Sequence, residues 1–140
     1  MEKELTRVEG ILIYARLLGL DEEIAAFAND TATGYVMPFN DVPDWAKNEI
    51  GYLNYKGLAN GISSDMFGTT LKMSDQQFAT LLLRGKGYSD AKGDFVWNQA
   101  MEKAVEVGLI TEDDKSLIQK DPGFTRGEMV ILAYKFLQFK

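Results

Sequence analysis

The chain has 140 residues, a length that fits one domain with a sizeable core. It contains no cysteine and no histidine, which excludes disulfides, thiolate metal sites and the commonest general base. The net charge of -6 disfavours nucleic acid and anionic membrane surfaces as partners. No apolar run is long enough to insert into a membrane, and the first residues lack the build of a secretory signal. An exported parent protein would therefore contain this chain as a mature fragment.

The first predicted element is the helix in LTRVEGILIYARLLG, which starts at Leu5. Thr6 followed by Glu9 forms a capping box, in which each side chain bonds the other residue's backbone N–H. The apolar residues after the box are too continuous for a surface helix, so we expect this helix to be buried. Residues 20–40 then form a link that includes a short helix from Glu22 to Phe27.

The second kind of element is a helix in FNDVPDWAKNEIGYLNYKGLANGI. Pro43 suits the first turn, and Asp41 is the candidate cap. Either Gly57 or Gly61 can end this helix, because glycine readily adopts the left-handed conformation found after helix ends.

The same two kinds of element recur in the rest of the chain. MSDQQFATLLLRGKG holds a second capping box, Ser74 with Gln77. FVWNQAMEKAVEVGLI predicts another amphipathic helix that stops at Gly108, and EDDKSLIQKD predicts a short polar helix. FTRGEMVILAYKFLQ holds the third box, Thr125 with Glu128.

The order is therefore a helix A, a loop and a capping-box helix B, repeated along the chain. The repeats cover 1–20, which is only a closing half, then 39–88, and a divergent copy at 94–140. We predict one all-α domain over residues 1–140, with at most a short extended pair in its loops.

Helix capping does not explain the arginine in the two copies of the Thr-Arg-x-Glu motif. Arg7 and Arg126 occupy the first helical position, where the helix dipole mildly disfavours a cation, and the middle copy has Asp75 there. Two interpretations stay open. The arginines are surface residues that pair with nearby acids, or each forms an anion site together with free helical N–H groups.

The spaced combination of Phe-x-Asp-Val, Trp-Ala, a glycine-containing loop with Phe, and Thr-Arg-x-Glu resembles the S-layer homology (SLH) domain. FNDVPDWAKNEIGYLNYKGLANGISSDMFGTTLKMSDQQFATLL is similar to one full SLH repeat, and LTRVEGILIYARLLGL to the end of another. The resemblance implies a pseudo-threefold domain in which the three B helices form a central bundle and the A helices form outer lobes. It also implies non-covalent attachment to the bacterial cell wall through a secondary cell-wall polysaccharide, often pyruvylated.

By motif position, the resemblance implies that these residues bind the acidic polysaccharide in grooves between lobes: Arg7, Trp45, Gly61, Ser63, Trp97 and Arg126. A pyruvate carboxylate would give the unexplained arginine a partner, and a tryptophan can stack on a sugar face. The alternatives stay open, since Trp45 also fits a packing residue and Gly61 a turn glycine. Trp97 lies one position out of register with Trp45 when each is counted back from its helix-ending glycine.

Three departures from the SLH pattern are visible. Asp75 replaces the motif arginine, the loop before Phe124 is acidic, and the first A helix is absent. We therefore keep a second function open, a degenerate module that acts as a spacer or protein-interaction surface.

We expect no enzymatic activity, because the acidic pairs Asp44 with Glu49, and Glu112 with its neighbours, are typical of solvated helix ends. No cofactor and no metal are expected, since no segment has the spacing of a calcium-binding EF-hand loop. The expected location is the extracellular cell surface, with other domains of a parent surface protein attached.

Overall fold

The computed structural model describes residues 4–120 and 123–139. Within these ranges the chain forms seven α-helices and no strand, which confirms the all-α prediction. The helices are α1 (Arg7–Leu17), α2 (Asp21–Ala28), α3 (Lys47–Tyr55), α4 (Asp75–Gly85), α5 (Ala100–Glu106), α6 (Glu112–Gln119) and α7 (Arg126–Gln138). Single 3₁₀ turns lie at Thr31–Thr33, Asp44–Ala46 and Trp97–Gln99. None of the helices in the described part of the chain is both long and apolar enough to cross a membrane.

The structure groups these elements into two compact units. The N-terminal unit is Thr6–Leu71 and carries α1 to α3, while the C-terminal unit joins residues 4–5 to the described residues after 71 and carries α4 to α7. The single pseudo-threefold domain with a central three-helix bundle stays a prediction.

In the N-terminal unit, α3 packs against both α1 and α2. An aromatic cluster joins the link that precedes α3 to that helix: the rings of Phe27 and Tyr55 lie 5.1 Å apart, and those of Phe27 and Tyr52 5.4 Å apart. The Tyr35 hydroxyl donates to Asn54 Oδ1 at 2.9 Å, so a polar bond fixes the edge of the cluster. The link is therefore anchored on α3, and its short helix α2 confirms the one predicted from Glu22 to Phe27.

In the C-terminal unit, α4 packs against α5 and α7, and α5 packs against α6. Leu5 joins the starts of two helices, because its N–H donates to Phe124 O at 3.0 Å and its carbonyl accepts from Met73 N at 2.7 Å. All three residues are buried immediately before their capping boxes, as hydrophobic staples would be. An isolated antiparallel bridge between Glu4 and Thr125 is the form that the expected extended pair takes.

All three predicted capping boxes are present with both reciprocal hydrogen bonds, at Thr6, Ser74 and Thr125. A fourth box, Thr111 with Asp114, starts the predicted short polar helix α6 and was not recognised in the sequence. Its third residue is Asp, whose shorter side chain departs from the Glu or Gln of the usual pattern. Asp121 and Pro122, which belong to the loop after α6, lie outside the described residues.

The predicted cap of α3 is wrong. Pro43 precedes the 3₁₀ turn that leads into α3, and neither that turn nor α3 has a side-chain cap. Asp41 instead bonds backbone groups 26 to 28 residues later. The predicted helix stops at Gly57 and Gly108 are confirmed, since both glycines adopt the left-handed conformation, with φ of 76° and 86°.

Thr125→Ala removes the hydroxyl that accepts from Glu128 N, and we expect it to lower the free energy of unfolding by about 1 kcal/mol. Urea denaturation measures the change. Thr70→Ala is the matched control, because Thr70 is exposed and lies outside every helix, so an equal loss in both variants would contradict a capping role.

Candidate functional site

The loop before Leu71 in the N-terminal unit is clamped by one carboxylate, that of Asp41. Its Oδ1 accepts from Phe67 N at 2.7 Å, and its Oδ2 accepts from Gly68 N at 2.7 Å and Thr69 N at 3.1 Å. The Thr69 hydroxyl donates back to the Asp41 carbonyl at 2.8 Å. Three successive backbone N–H groups thus find their partners in one side chain, which fixes the turn they form.

These contacts also set the ionisation of Asp41. Burial raises the pKa of its carboxyl, but the hydrogen bonds from the backbone N–H groups of Phe67, Thr69 and Gly68 lower it, and the net pKa lies below the ordinary value. The folded pKa is depressed, so this stabilisation is present above the unfolded pKa and is lost as pH falls through the folded pKa.

We therefore expect Asp41→Asn to cost about 1–2 kcal/mol of unfolding free energy near neutral pH, because the amide cannot accept all three bonds as an anion does. Urea denaturation over a pH series measures this cost. The difference between wild type and variant should narrow as acid protonates Asp41, and a constant difference down to about pH 2.5 would contradict the clamp.

The Arg7 side chain holds the same loop by donating hydrogen bonds to two of the loop's carbonyl groups. Its Nε donates to Phe67 O at 3.0 Å and its Nη2 donates to Asn60 O at 2.9 Å, while the guanidinium carbon lies 4.8 Å from the centroid of the Phe67 ring. The residue is only 8% exposed. Arg7 is thus a buried cation whose donors join positions 60 and 67 of one loop.

The helical N–H groups beside Arg7 are not free, so that part of the anion-site interpretation is wrong. The N–H of Arg7 donates to Leu71 O at 2.8 Å, and that of Val8 donates to Thr69 O at 3.3 Å. The N–H of Glu9 is bonded to the Thr6 hydroxyl in the capping box. Loop carbonyls therefore take the positions that an anion would need at the start of α1.

The other residues of this loop have local roles. A Cβ on Gly61 would lie 2.4 Å from Phe39 Cε1 and 2.5 Å from Met66 O, so only glycine fits that position. The Ser63 hydroxyl donates to Asp65 Oδ1 at 3.0 Å, and the N–H groups of Ile62 and Ser63 both point to Met66 O. Those two N–H groups are therefore engaged inside the loop, and Gly61 matches the turn glycine that the sequence left open.

The two tryptophans are exposed, Trp45 by 64% and Trp97 by 54%. For Trp45 this contradicts the packing interpretation. Backbone hydrogen bonds also explain why Trp97 is out of register with Trp45. The N–H groups of Leu58 and Ala59 both donate to Leu53 O. Leu109 and Ile110, 51 positions later, both donate to Ala104 O. By this alignment Trp97 corresponds to Ala46, and Val96 corresponds to Trp45.

The remaining two copies of the arginine position differ from Arg7. Arg126 is exposed at the start of α7. Asp75 accepts from Gln119 Nε2 at 3.0 Å and lines a cavity of about 340 Å³ in the C-terminal unit, with Glu4 and Lys72 among its other polar walls. Two carboxylates and one lysine make this cavity a poor site for an acidic ligand. Among the described residues, no cluster of acidic side chains is placed to hold a metal ion.

Comparison with known proteins relates the chain to parts of much longer proteins. It is 31% identical over 84 residues to Cell surface glycoprotein 1 of Acetivibrio thermocellus, an alignment that covers 59% of this chain and 3% of that protein. It is 26% identical over 107 residues to Exoglucanase XynX of the same species, covering 69% of this chain and 10% of that protein. An endoglucanase of a Bacillus species, strain KSM-635, is 22% identical over 138 residues, covering 92% of this chain and 15% of that enzyme.

No protein-family model matches the chain. No solved structure matches it either. The chain is therefore similar to a segment of a cell-surface protein and to segments of two glucanases, and it spans less than a fifth of each.

The burial of Arg7 predicts that its substitution affects folding. We expect Arg7→Ala to lower the free energy of unfolding by about 2–3 kcal/mol, because the carbonyls of Phe67 and Asn60 lose a charged donor. Arg126→Ala, at the equivalent exposed position, should cost no more than about 0.5 kcal/mol. Chemical denaturation of both variants makes the comparison, and equal costs would contradict a structural role for Arg7.

Proposed function

We propose that the chain is a non-catalytic anchoring module of a cell-surface protein and that it binds an acidic secondary cell-wall polysaccharide. The observation that carries the proposal is the similarity to a segment of Cell surface glycoprotein 1. The SLH-like order of motifs supports it, because the residues of one full repeat act together in the structure: Phe39 and Asp41 contact the loop that Arg7 also holds. Attachment at the cell surface would place the chain outside the cell.

The exposed indole of Trp45 supports a glycan as ligand. An aromatic ring that is 64% exposed has much of its apolar surface in contact with water. A sugar face that stacks on the ring would remove that surface from water while the sugar hydroxyls stay solvated. Trp45 also follows the clamped Asp41 closely in the chain, so the ring is carried by an ordered segment.

The fixed position of the Arg7 guanidinium supports an acidic polymer as the ligand. Its guanidinium is held in one orientation by two backbone carbonyls, so no further side-chain entropy would be lost when a carboxylate approaches it. In a chain with a net charge of -6, such a local cation is what an acidic ligand requires. Binding through it should weaken in salt.

The absence of catalysis is part of the proposal. Two of the acidic residues considered for glycoside hydrolysis have structural partners: Asp44 pairs with Lys47 Nζ at 2.8 Å, and Asp114 forms a capping box and lies 3.4 Å from Lys135 Nζ. The two glucanases match this chain over 15% and 10% of their length. A carbohydrate-attachment segment shared by such enzymes fits these partial alignments better than a catalytic domain.

A degenerate module that serves as a spacer or protein-interaction surface is the second candidate. One observation favours it: Arg7 is 8% exposed and already bonded to Phe67 O and Asn60 O. In that case Thr-Arg-x-Glu would persist for folding alone.

Retention on purified cell-wall sacculi tests the proposal. Wild-type protein should sediment with intact sacculi and stay in solution once the secondary polysaccharide has been stripped. Trp45→Ala should weaken retention at least tenfold, equivalent to about 1.4 kcal/mol, because the stacking surface is gone while the fold is kept.

Val36→Ala is the matched control, since Val36 is an apolar residue of the same unit and is 80% exposed. Retention by stripped sacculi, or equal retention of the Trp45 and Val36 variants, would contradict glycan binding through Trp45. No retention of a folded wild-type protein would favour the spacer.

A further inference from the structure

Asn60 is the only asparagine of the chain that a glycine follows. The Asn-Gly sequence is the most prone to deamidation, because glycine has no Cβ to keep its backbone nitrogen away from the asparagine amide carbon. Asn60 is exposed, and within the described residues neither its side-chain amide nor the Gly61 N–H makes a hydrogen bond. The two reacting groups are therefore not held apart by bonds to other residues.

The glycine of this pair is required by packing. A Cβ at position 61 would lie 2.4 Å from Phe39 Cε1, 2.5 Å from Met66 O and 2.8 Å from Ser63 O. A larger residue, which would slow the reaction, therefore does not fit at this position. The loop keeps an unhindered backbone nitrogen next to an exposed asparagine.

The backbone carbonyl of Asn60 is also one of the two groups that hold Arg7. Arg7 Nη2 donates to Asn60 O at 2.9 Å, and Arg7 is only 8% exposed. Both residues belong to the N-terminal unit. A chemical change at Asn60 is therefore made in direct contact with the cation that the proposed function uses.

Deamidation of Asn60 proceeds through a cyclic imide. The Gly61 nitrogen forms a bond to Asn60 Cγ, the bond from Cγ to the amide nitrogen breaks, and ammonia leaves with the proton of the Gly61 N–H. Water then opens the ring at one of its two carbonyl carbons. Opening at Cγ leaves aspartate. Opening at the backbone carbon leaves isoaspartate, in which the chain continues through Cγ and the former Asn60 carbonyl has become a carboxylate.

We propose that Asn60 is a deamidation site that turns the carbonyl partner of Arg7 into a carboxylate and so weakens attachment of the chain to an acidic glycan. The effect on attachment rests on the proposed function, whereas the modification itself does not. In the isoaspartate form the oxygen that accepts from Arg7 Nη2 shares a negative charge, which makes the hydrogen bond charge-assisted. Attachment would then have a lifetime set by the age of the protein.

The new charge opposes an acidic ligand in two ways. It neutralises the Arg7 guanidinium, and it repels a ligand carboxylate that approaches the same place. The chain already has a net charge of -6, so an acidic ligand depends on cations that are held locally. Deamidation removes the effect of one such cation without removing the residue.

Mass spectrometry of the aged full-length chain tests the modification. Folded protein is kept at mildly alkaline pH, where the Gly61 nitrogen loses its proton more readily, and chromatography resolves isoaspartate from aspartate in its peptides. Conversion should be about tenfold faster, or more, at Asn60 than at the other exposed asparagines. These internal controls are Asn29, Asn40, Asn48 and Asn98. Equal rates at all five positions would overturn the site.

Carbon-13 NMR over a pH series tests the contact with Arg7 without any ligand. In the purified isoaspartate form, the new carboxylate should have a lower pKa than the same group in a peptide of residues 57–66, because the guanidinium favours its ionised form. Equal pKa values in protein and peptide would show that the carboxylate does not contact Arg7, and would overturn the proposal.

Retention on sacculi tests the effect on attachment. Aged wild-type protein should be retained at least tenfold more weakly than fresh protein, equivalent to about 1.4 kcal/mol. Asn60→Gln is the matched variant, because its amide carbon lies one methylene further from the backbone and cannot close the same five-membered ring. Its aged and fresh samples should be retained equally.

Unchanged retention of the aged wild type, or the same loss in aged Asn60→Gln, would overturn the proposal. Failure of the proposed function gives a different result, since the fresh wild type would then not be retained at all. That result would overturn the effect on attachment together with the proposed function, while mass spectrometry and NMR would still decide the modification.

Discussion

The N-terminal unit depends on one constraint, that the polar backbone of the loop from Asn60 to Leu71 must be satisfied away from a helix or sheet. Asp41 supplies the acceptor for three successive N–H groups, and Arg7 supplies donors for two carbonyls of the same loop. Gly68 allows this close approach, with φ of 85° and the space for a Cβ only 3.3 Å from Arg7 Nε. The start of α1, the loop and the Phe39–Phe67 contact are therefore parts of one arrangement.

The residues of the Thr-Arg-x-Glu motif therefore have two separate roles. A capping box starts the helix in every copy. It consists of Thr and Glu in the first and third copies and of Ser and Gln in the middle one. The arginine position varies with its surroundings: the Arg7 side chain is buried against a loop, Arg126 is exposed, and Asp75 bonds Gln119 beside a cavity. The cap is common to all three copies, whereas the role of the next residue differs from copy to copy.

Local signals made much of the fold predictable. Capping boxes, the helix-ending glycines and the apolar runs depend on residues within one or two turns, and they predicted the helices correctly. The errors came from contacts that are distant in sequence. Asp41 resembled a cap because its loop partners lie 26 to 28 residues away, and Arg7 resembled a surface cation because its carbonyl partners lie 53 and 60 residues away. The exposure of Val130, Tyr134 and Leu137 on α7 could not be predicted either, because the sequence of α7 is as apolar as that of the buried copies.

Titration calorimetry with a pyruvylated cell-wall disaccharide, and with the unpyruvylated sugar as the control, tests whether the chain binds an acidic glycan. We expect saturable binding of the pyruvylated sugar alone, weakened by added salt, because a carboxylate must reach the cation held in the N-terminal unit. No heat from either sugar with folded protein would contradict it. In that case Arg7 would act only in folding, and the chain would be a scaffold.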